Sequence, residues 1–508
     1  MAEGTRRDWL RLALAGVFAD ALAPPALVFA QSPSESTPFS HDAVLARARD
    51  LAKSAFKAPR GPLPDAFANL DFKQYSAIHR LPSAELWASD KLGFALDPLQ
   101  RGFLFTMPVD LFVVENGEAR RVAYDRAAYD FGGLQVPPDV GDIGFSGVRI
   151  LRASGGEGLQ DLAILQGATF LRALARGQSL GVTTRGLAIH TGDAQGEEFP
   201  VFRAFWIEKP APAAEMLVIH ALLDSNSVTG AYLLTIHAGE MTIIDAEATI
   251  FARANLDGLG IATASGAYLF GPLDRKRPDD ARVAVYEIDG LQMLTGANEW
   301  LWRPAANRDT LQISSFVDKN PRGFGLLQRD RSFEDFGDDD AHWEKRPSLW
   351  IEPIGDWGEG EVRLLEIPSD SETNDNVIAQ WRPKASTQAG ESLSFAYRQF
   401  WCWSPPARPQ TSACTLSRVG KLGTLRRFVV EFVGDVFADP AKAAQTSAKI
   451  DANPGKIVSN RVFVFADRRM LRVVFDLDPG SETVSELRLV LMAGGQPASE
   501  TWLYRWTA

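Results

Sequence analysis

Apolar and polar residues alternate with a period of two over most of the chain, starting near residue 100. The runs at 109–114, 144–150 and 199–207 show this alternation, and Asn116-Gly117 after the first of them is a hairpin turn signal. A period of two places successive side chains on opposite faces of a strand. The pattern therefore predicts an all-β protein made of many short strands. Further runs of this kind are 103–105, 163–170, 216–223, 230–237, 241–251 and 281–286.

One segment near the start of the chain has the period of a helix instead. Between residues 41 and 56 the apolar side chains recur three or four positions apart, which is typical of one buried helix face. The pattern predicts a single short amphipathic helix. Its apolar positions are Val44, Leu45, Ala48, Leu51, Ala52 and Phe56.

A stretch of small and polar residues at 383–391 divides the chain into two predicted domains. The stretch has no apolar period and the composition of a linker. Downstream lie about seven short strands within about 115 residues, which suits an immunoglobulin-like sandwich. We therefore expect a large β domain over 38–384 and a small immunoglobulin-like domain over 392–508.

The first thirty residues have the pattern of an export signal. The pair Arg6-Arg7 precedes an apolar stretch, and Ala30 ends a small-x-small cleavage site. A membrane anchor is the alternative, but Asp20 interrupts the apolar stretch, which falls short of the ~20 residues that a span needs. The pattern predicts a twin-arginine signal peptide at 1–30, export to the periplasm, and no membrane span in the mature chain.

Composition narrows the possible partners. The 508 residues carry a formal net charge of −11 at pH 7, which disfavours nucleic acid and an anionic membrane surface and favours a neutral ligand. Two cysteines, Cys402 and Cys414, are too few for a disulfide framework or a thiolate cluster, and the six histidines are scattered. We expect no metal and no cofactor. Whether the two cysteines pair with each other stays open.

A polar loop between two strand-like runs carries the candidate chemistry. The run 362–367 ends at Pro368, the run 377–381 follows, and the loop between them holds Glu372 and Asp375. Two carboxylates three positions apart, beside Thr and Asn side chains, suit acid–base chemistry on a sugar. The alternative is a polar turn in which Asn and Asp side chains bind their own backbone.

Aromatic residues cluster in the same half of the chain, interspersed with arginine and asparagine. Aromatic rings bind the C–H faces of glucose while polar groups take its hydroxyls, so the cluster is compatible with an open glucan cleft. The alternative for each ring is a place in the core. The acidic segment 330–340 is either a lid over such a cleft or a solvated surface loop. The tryptophans are Trp300, Trp302, Trp343, Trp350, Trp357 and Trp381.

Several blocks, spread in order over most of the mature chain, resemble the periplasmic glucan biosynthesis proteins of the G and D type, which act on osmoregulated β-1,2-glucans. They include Glu-Phe-Pro-Val-Phe-Arg-Ala-Phe-Trp-Ile-Glu at 198–208, Asn-Glu-Trp-Leu-Trp-Arg-Pro at 298–304, Arg-Pro-Ser-Leu-Trp-Ile-Glu-Pro at 346–353 and Glu-Thr-Asn-Asp-Asn at 372–376. Further matching blocks are 170–178, 184–189, 289–291, 320–326 and 355–360. The twin-arginine signal resembles the D branch of this family.

The resemblance implies a large galactose-mutarotase-like β-sandwich followed by a small immunoglobulin-like one. It also implies an enzyme, because characterised members form a glycoside hydrolase family that cleaves β-1,2-glucan with inversion, and some relatives transfer the chain instead. The expected ligand is β-1,2-glucan. The membrane glucan synthase and a second copy of the chain, in a homodimer, are further candidate partners.

The resemblance also implies roles for single residues. The family's general acid falls on Asp375, a substrate-contacting carboxylate on Glu372, and the general base on Asp289. Family members commonly have a His-Asp-Ser-Asp-like run before Gly290, whereas this chain has Tyr-Glu-Ile-Asp, and Asp289-Gly290 alternatively suits a hairpin turn. Further expected substrate-binding residues are Trp300, Trp302, Arg303, Arg322, His342, Trp343, Arg346 and Trp357.

A second class of function is compatible with the same sequence. A non-catalytic glucan-binding or assembly protein would use the same cleft without cleaving a bond. The sequence does not separate hydrolysis from transglycosylation, because that depends on how well the cleft excludes water from the attacking position.

Overall fold

The structure, a computed structural model, describes residues 36–61, 63–154, 158–273 and 279–508. The predicted signal peptide at 1–30 lies outside these residues. Within the described ranges, no helix combines the length and the hydropathy that crossing a membrane requires.

Strands dominate the architecture, so the predicted all-β fold is confirmed. In chain order the strands are β1 (Thr37–Pro38), β2 (His79–Arg80), β3 (Phe94–Leu99), β4 (Asp110–Glu115), β5 (Glu118–Arg121), β6 (Tyr129–Asp130), β7 (Gly147–Ser154), β8 (Gly158–Gln166), β9 (Phe170–Ala173), β10 (Thr183–Arg185), β11 (Ala188–Ile189), β12 (Val201–Glu208), β13 (Met216–Asp224), β14 (Val228–His237), β15 (Thr242–Ala252), β16 (Leu259–Gly266), β17 (Tyr268–Phe270), β18 (Val285–Tyr286), β19 (Gly290–Leu294), β20 (Trp300–Pro304), β21 (Gln312–Lys319), β22 (Gly323–Leu327), β23 (Ser348–Ile354), β24 (Glu359–Glu366), β25 (Val377–Pro383), β26 (Ser392–Cys402), β27 (Ala413–Leu422), β28 (Leu425–Val433), β29 (Ser447–Asn453), β30 (Lys456–Phe465), β31 (Met470–Asp478), β32 (Val484–Ala493), β33 (Gln496–Pro497) and β34 (Thr501–Thr507).

The helices are short. Helix α1 begins after Ser40, whose side chain accepts the backbone N–H of Ala43. It ends at Ala52, four residues before the predicted end. The helices are α1 (His41–Ala52), α2 (Asp65–Ala68), α3 (Phe72–Ser76) and α4 (Pro440–Ala444), and the 3₁₀ turns are Pro82–Ala84, Arg126–Ala128, Phe333–Asp335, Trp343–Lys345, Asp435–Phe437 and Ala466–Arg468.

Two large sheets form a sandwich over most of the chain. The first sheet has the order β1-β5-β4-β12-β13-β14-β15-β26-β23-β22-β19-β20-β34-β32-β29, with β33 beside β32. The second sheet has the order β21-β24-β25-β16-β10-β9-β8-β7-β3, with β11 beside β16. Most neighbouring strands are antiparallel, which lets short turns connect them.

Alternation along the strands decides what fills the space between the sheets. In β13, Leu217, Ile219, Ala221 and Leu223 point into the shared core, whereas Leu222 points outward and packs under helix α1. Each leucine or isoleucine buried in this way contributes about 1.5–3 kcal/mol to folding. Helix α1 therefore covers the outer face of the first sheet around strands β12 to β15.

The predicted boundary between the domains needs correction. Strand β26, expected to open the small domain, pairs along its whole length with β15 and β23 in the middle of the first sheet. The stretch 383–391, expected to be a linker, is a loop that joins β25 in one sheet to β26 in the other. The sequence pattern could not show this, because the pairing partners of β26 are 42 residues away in Ile354↔Ala396 and 157 residues away in Ile243↔Phe400.

The C-terminal strands form a second sandwich that shares a sheet with the first. The sheet β27-β28-β31-β30 packs against β29, β32 and β34 around its own apolar cluster. Strand β34 continues the first sheet by pairing in parallel with β20. The two sandwiches are thus joined by backbone hydrogen bonds.

Charged side chains are buried at this junction. Arg329 lies over the ring of Trp302, with its guanidinium carbon 3.4 Å from the ring centroid. It also forms a two-pronged ion pair with Glu500, at 2.7 and 3.0 Å. The Glu500 carboxylate accepts the backbone N–H of Cys414 at 2.7 Å and the side-chain amide of Gln292 at 3.0 Å. Every oxygen of this buried carboxylate is thereby satisfied.

The two cysteines do not pair. Cys402 and Cys414 are free, buried thiols. Burial raises the pKa of both thiols to about 12, so they remain protonated and unreactive at neutral pH.

Removing the carboxylate at the junction tests whether it holds the C-terminal sandwich. We expect Glu500→Ala to lower the free energy of unfolding by about 3–5 kcal/mol, because Arg329 would be left buried without its counter-charge. Urea unfolding followed by tryptophan fluorescence measures this. The control is Glu486→Ala, whose exposed carboxylate pairs with Arg505 at 3.0 Å. Equal urea midpoints for the two variants would contradict the assignment.

Candidate active site

The outer face of the second sheet carries a row of polar side chains. Ala264 and Leu171 point into the core, so their neighbours Ser265 and Arg172 point to the outer face. The pairing of the strands places Thr183 of β10 opposite Ser265 of β16, so that Thr183 lies between Ser265 and Arg172. Arg172 Nε donates a hydrogen bond of 2.7 Å to Thr183 Oγ1. Ser265, Thr183 and Arg172 therefore form a polar row across the adjacent strands β16, β10 and β9, which we call the polar floor.

Asp375 stands at one end of this floor. Its Oδ2 accepts a hydrogen bond of 3.0 Å from Ser265 Oγ, and the residue is half-buried. The next residue, Asn376, exchanges hydrogen bonds with the backbone of Tyr268 at 2.8 and 3.0 Å and donates to the carbonyl of Ile367 at 3.1 Å. The loop is thereby tied to both neighbouring strands, and the carboxyl group has a fixed position.

A second carboxylate, Glu287, lies beside Asp375. Its Oε2 accepts the backbone N–H of Ala267 at 3.4 Å, two residues from Ser265. Burial, and then the charge of Asp375, raise the pKa of Glu287 to about 7, although Arg346 and Arg172 pull it down. Near neutral pH the site therefore holds a proton beside Asp375.

Glu372 belongs to the same loop but serves a different contact. Its carboxylate pairs with Arg282 at 2.7 Å. Arg282 also contacts Asp280 at 2.7 Å and Asp338 at 2.9 Å. One guanidinium thus ties the Asp375 loop to the segment 330–340.

The acidic segment 330–340 packs against this part of the molecule. Phe336 is buried, and its ring meets Tyr286 edge-on with centroids 4.9 Å apart. Its carbonyl accepts the backbone N–H of Val283 at 2.8 Å. The segment is therefore anchored beside β18, which directly precedes Glu287. Whether the segment opens as a lid stays a prediction.

Three predicted substrate-binding residues lie directly after this segment. Trp343 is buried and donates from Nε1 to Asp338 at 2.8 Å, while Arg346 lies 5.0 Å from the ring centroid of Trp343. His342 contacts Glu344 at 2.9 Å. The positive charge of Arg346 acts on the site because it lowers the pKa of Glu287. The ring of Trp343 is in the core and offers no open face to a ligand.

The other predicted binding residues are held elsewhere. Trp302 belongs to the C-terminal core, and the buried Arg303 pairs with Glu366 at 3.0 Å. These two side chains pack at the junction of the sandwiches and not around Asp375, and their role in substrate binding stays a prediction. Arg322 is exposed and donates to Asn298.

The remaining tryptophans also pack chiefly against each other. Trp300 stacks on the buried Trp350, with centroids 5.7 Å apart. Trp357 lies 6.1 Å from the buried Trp381 and donates to the carbonyl of Ala396 at 3.2 Å. Only Trp300 and Trp357 of these four keep a partly exposed ring. Trp350 and Trp381 thus take the alternative place in the core, and a substrate-binding role for Trp300 and Trp357 stays a prediction.

Asp289 faces the junction of the sandwiches. With Tyr268, Trp302 and Asp330 it surrounds a cavity of about 20 Å³. Burial, and then the charge of Asp330, raise the pKa of Asp289 well above its usual value. Asp289-Gly290 is not a hairpin turn, because the Asp289 N–H and C=O extend the ladder between β22, β19 and β20.

Larger cavities lie away from Asp375 and Glu287. One of about 770 Å³ borders Lys319 and Arg363, and one of about 540 Å³ lies between Ser314 and Arg505. Among the described residues, neither is lined by Asp375 or Glu287. Within the same ranges, no three His, Cys, Asp or Glu side chains are grouped so that they could hold a metal.

The sequence interpretation missed four residues of this site. Ser265, Thr183 and Arg172 lie in strands whose alternation was recognised only in part, and pairing across strands was needed to bring them together. Glu287 was visible as the first of the two acidic residues in the Tyr-Glu-Ile-Asp run at 286–289.

The fold and the site define an all-β sandwich protein in which loops hold two carboxylates, Asp375 and Glu287, against one end of strand β16 in the second sheet. Residues 39–506 match the family described as "Periplasmic glucan biosynthesis protein, MdoG", and the chain belongs to this family.

Relatives named "Glucans biosynthesis protein G" are similar over most of their length. The protein of Vibrio cholerae is 41% identical over 482 residues, covering 92% of this chain and 87% of the relative. That of Rhodopseudomonas palustris is 40% identical and that of Bradyrhizobium diazoefficiens 42%, each covering at least 98% of both chains. The resemblance to the D branch stays a prediction.

Solved structures match only weakly. A galactose mutarotase related enzyme from Lactobacillus acidophilus has a TM-score of 0.21 and 7% identity, covering 47% of this chain and 96% of its own. A polysaccharide lyase has a TM-score of 0.19 and 11% identity, covering 68% and 47%. Scores this low carry no argument about function.

The elevated pKa of Glu287 predicts a pH-dependent stability. Below pH 4.5 the carboxyl is protonated in both the folded and the unfolded chain, and above about 7 it is ionised in both, so ionisation disfavours the folded state between these values. We expect the melting temperature of the wild type, relative to Glu287→Gln, to fall as pH rises from 4.5 to 7. Thermal unfolding across this range measures it.

A carboxylate shifted in the opposite direction supplies the control. A hydrogen bond from Ser332 lowers the pKa of Glu334, so the stability that it contributes is lost as pH falls below 4.5. The difference between wild type and Glu334→Gln should change only in that acidic range. A difference for Glu287→Gln that is constant from pH 4.5 to 7 would contradict the assigned environment.

Proposed function

We propose that this protein acts on the β-1,2-glucan backbone of osmoregulated periplasmic glucans, as an inverting endo-glucanase or a transglycosylase with Asp375 as general acid. Family membership supports the glucan. The observation that carries the chemistry is the position of Asp375, half-buried on the polar face of the second sheet, fixed by Ser265 and beside the protonatable Glu287.

The acid acts on the oxygen that links two glucosyl units. Asp375 in its protonated form donates to the departing glycosidic oxygen while the bond to the anomeric carbon breaks. Ser265 holds one carboxyl oxygen, so that the acid keeps its orientation during the transfer. Glu287, whose pKa is raised to about 7 beside the acid, can in its ionised form take the proton that the attacking water or hydroxyl releases and return it to Asp375.

Two carboxylates are candidates for the base that activates water or an acceptor hydroxyl. The family resemblance assigns this role to Asp289, and a relay would be needed because Asp289 lines the junction cavity. Contacts on the outer face support Glu287, because both carboxylates accept hydrogen bonds at the C-terminal end of β16, Asp375 from Ser265 and Glu287 from Ala267. Glu372, paired with Arg282, is proposed to position the loop and to contact substrate.

The cellular setting is part of the same proposal. Family membership supports a periplasmic location. Export by the twin-arginine route, contact with the membrane glucan synthase and a homodimer belong to the same proposal. The neutral glucan backbone agrees with a chain whose net charge is −11.

Replacing the acid tests the proposal directly. We expect Asp375→Asn to fold normally and to lose at least about 10²-fold in turnover of linear β-1,2-glucan, because an amide cannot protonate the leaving oxygen. Chromatography of the products measures chain length. The control is Asp370→Asn, an exposed carboxylate of the same loop, which should keep wild-type activity. Full activity of Asp375→Asn would rule out the assignment, and glucan binding by wild type with unchanged chain length would favour a carrier.

Paired variants separate the two candidate bases. We expect Glu287→Gln to reduce kcat more than Asp289→Asn does, because Glu287 lies beside Asp375 and Asp289 lies at the junction. Steady-state kinetics on linear β-1,2-glucan measures both. The pH profile adds a second readout, since the limb associated with a group titrating near 7 should disappear in Glu287→Gln. A larger loss in Asp289→Asn would return the role to Asp289.

A further inference from the structure

The polar face that holds Asp375 continues along the strands to a second group of side chains. Register pairs Thr183 with Ser265 and Arg185 with Thr263. Residues two apart point to the same face and lie about 7 Å apart along a strand. Arg185 therefore stands on the same face as Asp375, about 7 Å further along the strand than Thr183. We call the outer face of the second sheet between Asp375 and Arg185 the groove.

Two aromatic rings flank Arg185. The guanidinium carbon lies 5.3 Å from the ring centroid of Phe170 and 5.3 Å from that of Phe199. Phe170 is the partner of Arg185 in the ladder, and because Leu171 points into the core, Phe170 points to the outer face. The rings are 6.4 Å apart and half-buried, so each keeps some exposed surface.

The charge of Arg185 is neutralised and its position is fixed. It pairs with Glu197, whose carboxylate also accepts from Thr191 Oγ1 at 2.8 Å. Beside Phe199, Glu198 accepts the backbone N–H and the hydroxyl of Ser227, at 2.9 and 2.6 Å. The segment that carries Phe199 is therefore held to the strands below it before any ligand binds.

This arrangement selects the chemistry of a ligand. Because Glu197 neutralises Arg185, this pair offers no net charge to an anionic ligand. Phe170 and Phe199 offer apolar ring faces, and the contact of each ring with the guanidinium of Arg185 holds the ring in place. Apolar ring faces beside hydrogen-bonding groups suit the C–H face of a neutral sugar. Buried Arg185 still has an Nε–H without a hydrogen-bond partner within the described part of the chain.

We propose that Phe170 and Phe199, held by Arg185, form a subsite for a glucosyl unit remote from the bond placed at Asp375. This inference rests on the proposed function, because it assigns a second part of the same glucan chain to the same groove. A chain long enough to reach both places gains contacts that a short one lacks. The subsite thereby makes binding depend on chain length.

The test uses the double variant Phe170→Ala, Phe199→Ala on long and short linear β-1,2-glucans. On long glucan we expect KM to rise about tenfold, the loss of roughly 1.4 kcal/mol of ring contact, with kcat nearly unchanged. On the shortest oligosaccharide that is still cleaved, both constants should stay as in the wild type. The matched control is Phe463→Ala, which removes an exposed ring with Arg461 5.9 Å from its centroid, on the C-terminal sandwich.

The possible results of this experiment distinguish a sugar subsite from a purely structural effect of the substitutions, and also from failure of the proposed function. Equal losses on long and short substrates, or no loss on either, would overturn the subsite. If the wild type cleaves no glucan, calorimetric binding of the same glucans replaces kinetics. Weaker binding of the long glucan alone by the double variant then supports the subsite, and absence of glucan binding by the wild type overturns it.

Discussion

The register of β16 against its neighbours is the constraint on which the rest of the site depends. It places Ala264 in the core and Ser265 on the outer face, where the serine holds Asp375. A shift of one residue would exchange the two faces. The apolar side chain would then meet the acid, and the hydroxyl would be buried between the sheets without a partner. Stability and chemistry therefore select the same register, since the core penalises the alternative.

Patterns of neighbouring residues in the sequence predicted the features that depend on local interactions, namely the strands and one polar loop. Period-two alternation identified the strands, and the polar loop before Val377 was recognised because Pro368 ends the preceding strand run. The position of β26 could not be found in this way, because its partners β15 and β23 are distant in sequence. A small polar stretch such as 383–391 has the same composition whether it links two domains or two sheets.

Side-chain identity was a weaker guide to the site than strand pairing. Trp302 and Trp343 are buried by packing that no spacing rule reveals. The charge of Asp375 acts on Glu287, whereas Asp289, the predicted base, lines the junction cavity. The polar floor of Ser265, Thr183 and Arg172 consists of residues that are unremarkable in sequence. Only their meeting on one face of three paired strands gives them a role.

The segment around residues 286–289 shows why one missed side chain matters. Tyr286 donates to Asp330 under the anchored acidic segment, Glu287 lies at the groove, and Asp289 lines the junction. Within these four residues, three side chains thus lie in three different environments: beneath the acidic segment, at the groove and at the junction of the sandwiches. A shift of this segment would move the groove carboxylate and the junction carboxylate together. The C-terminal sandwich, which is joined to the first sheet beside Asp289, therefore supports the position of Glu287 although it contributes no side chain to the groove in the described contacts.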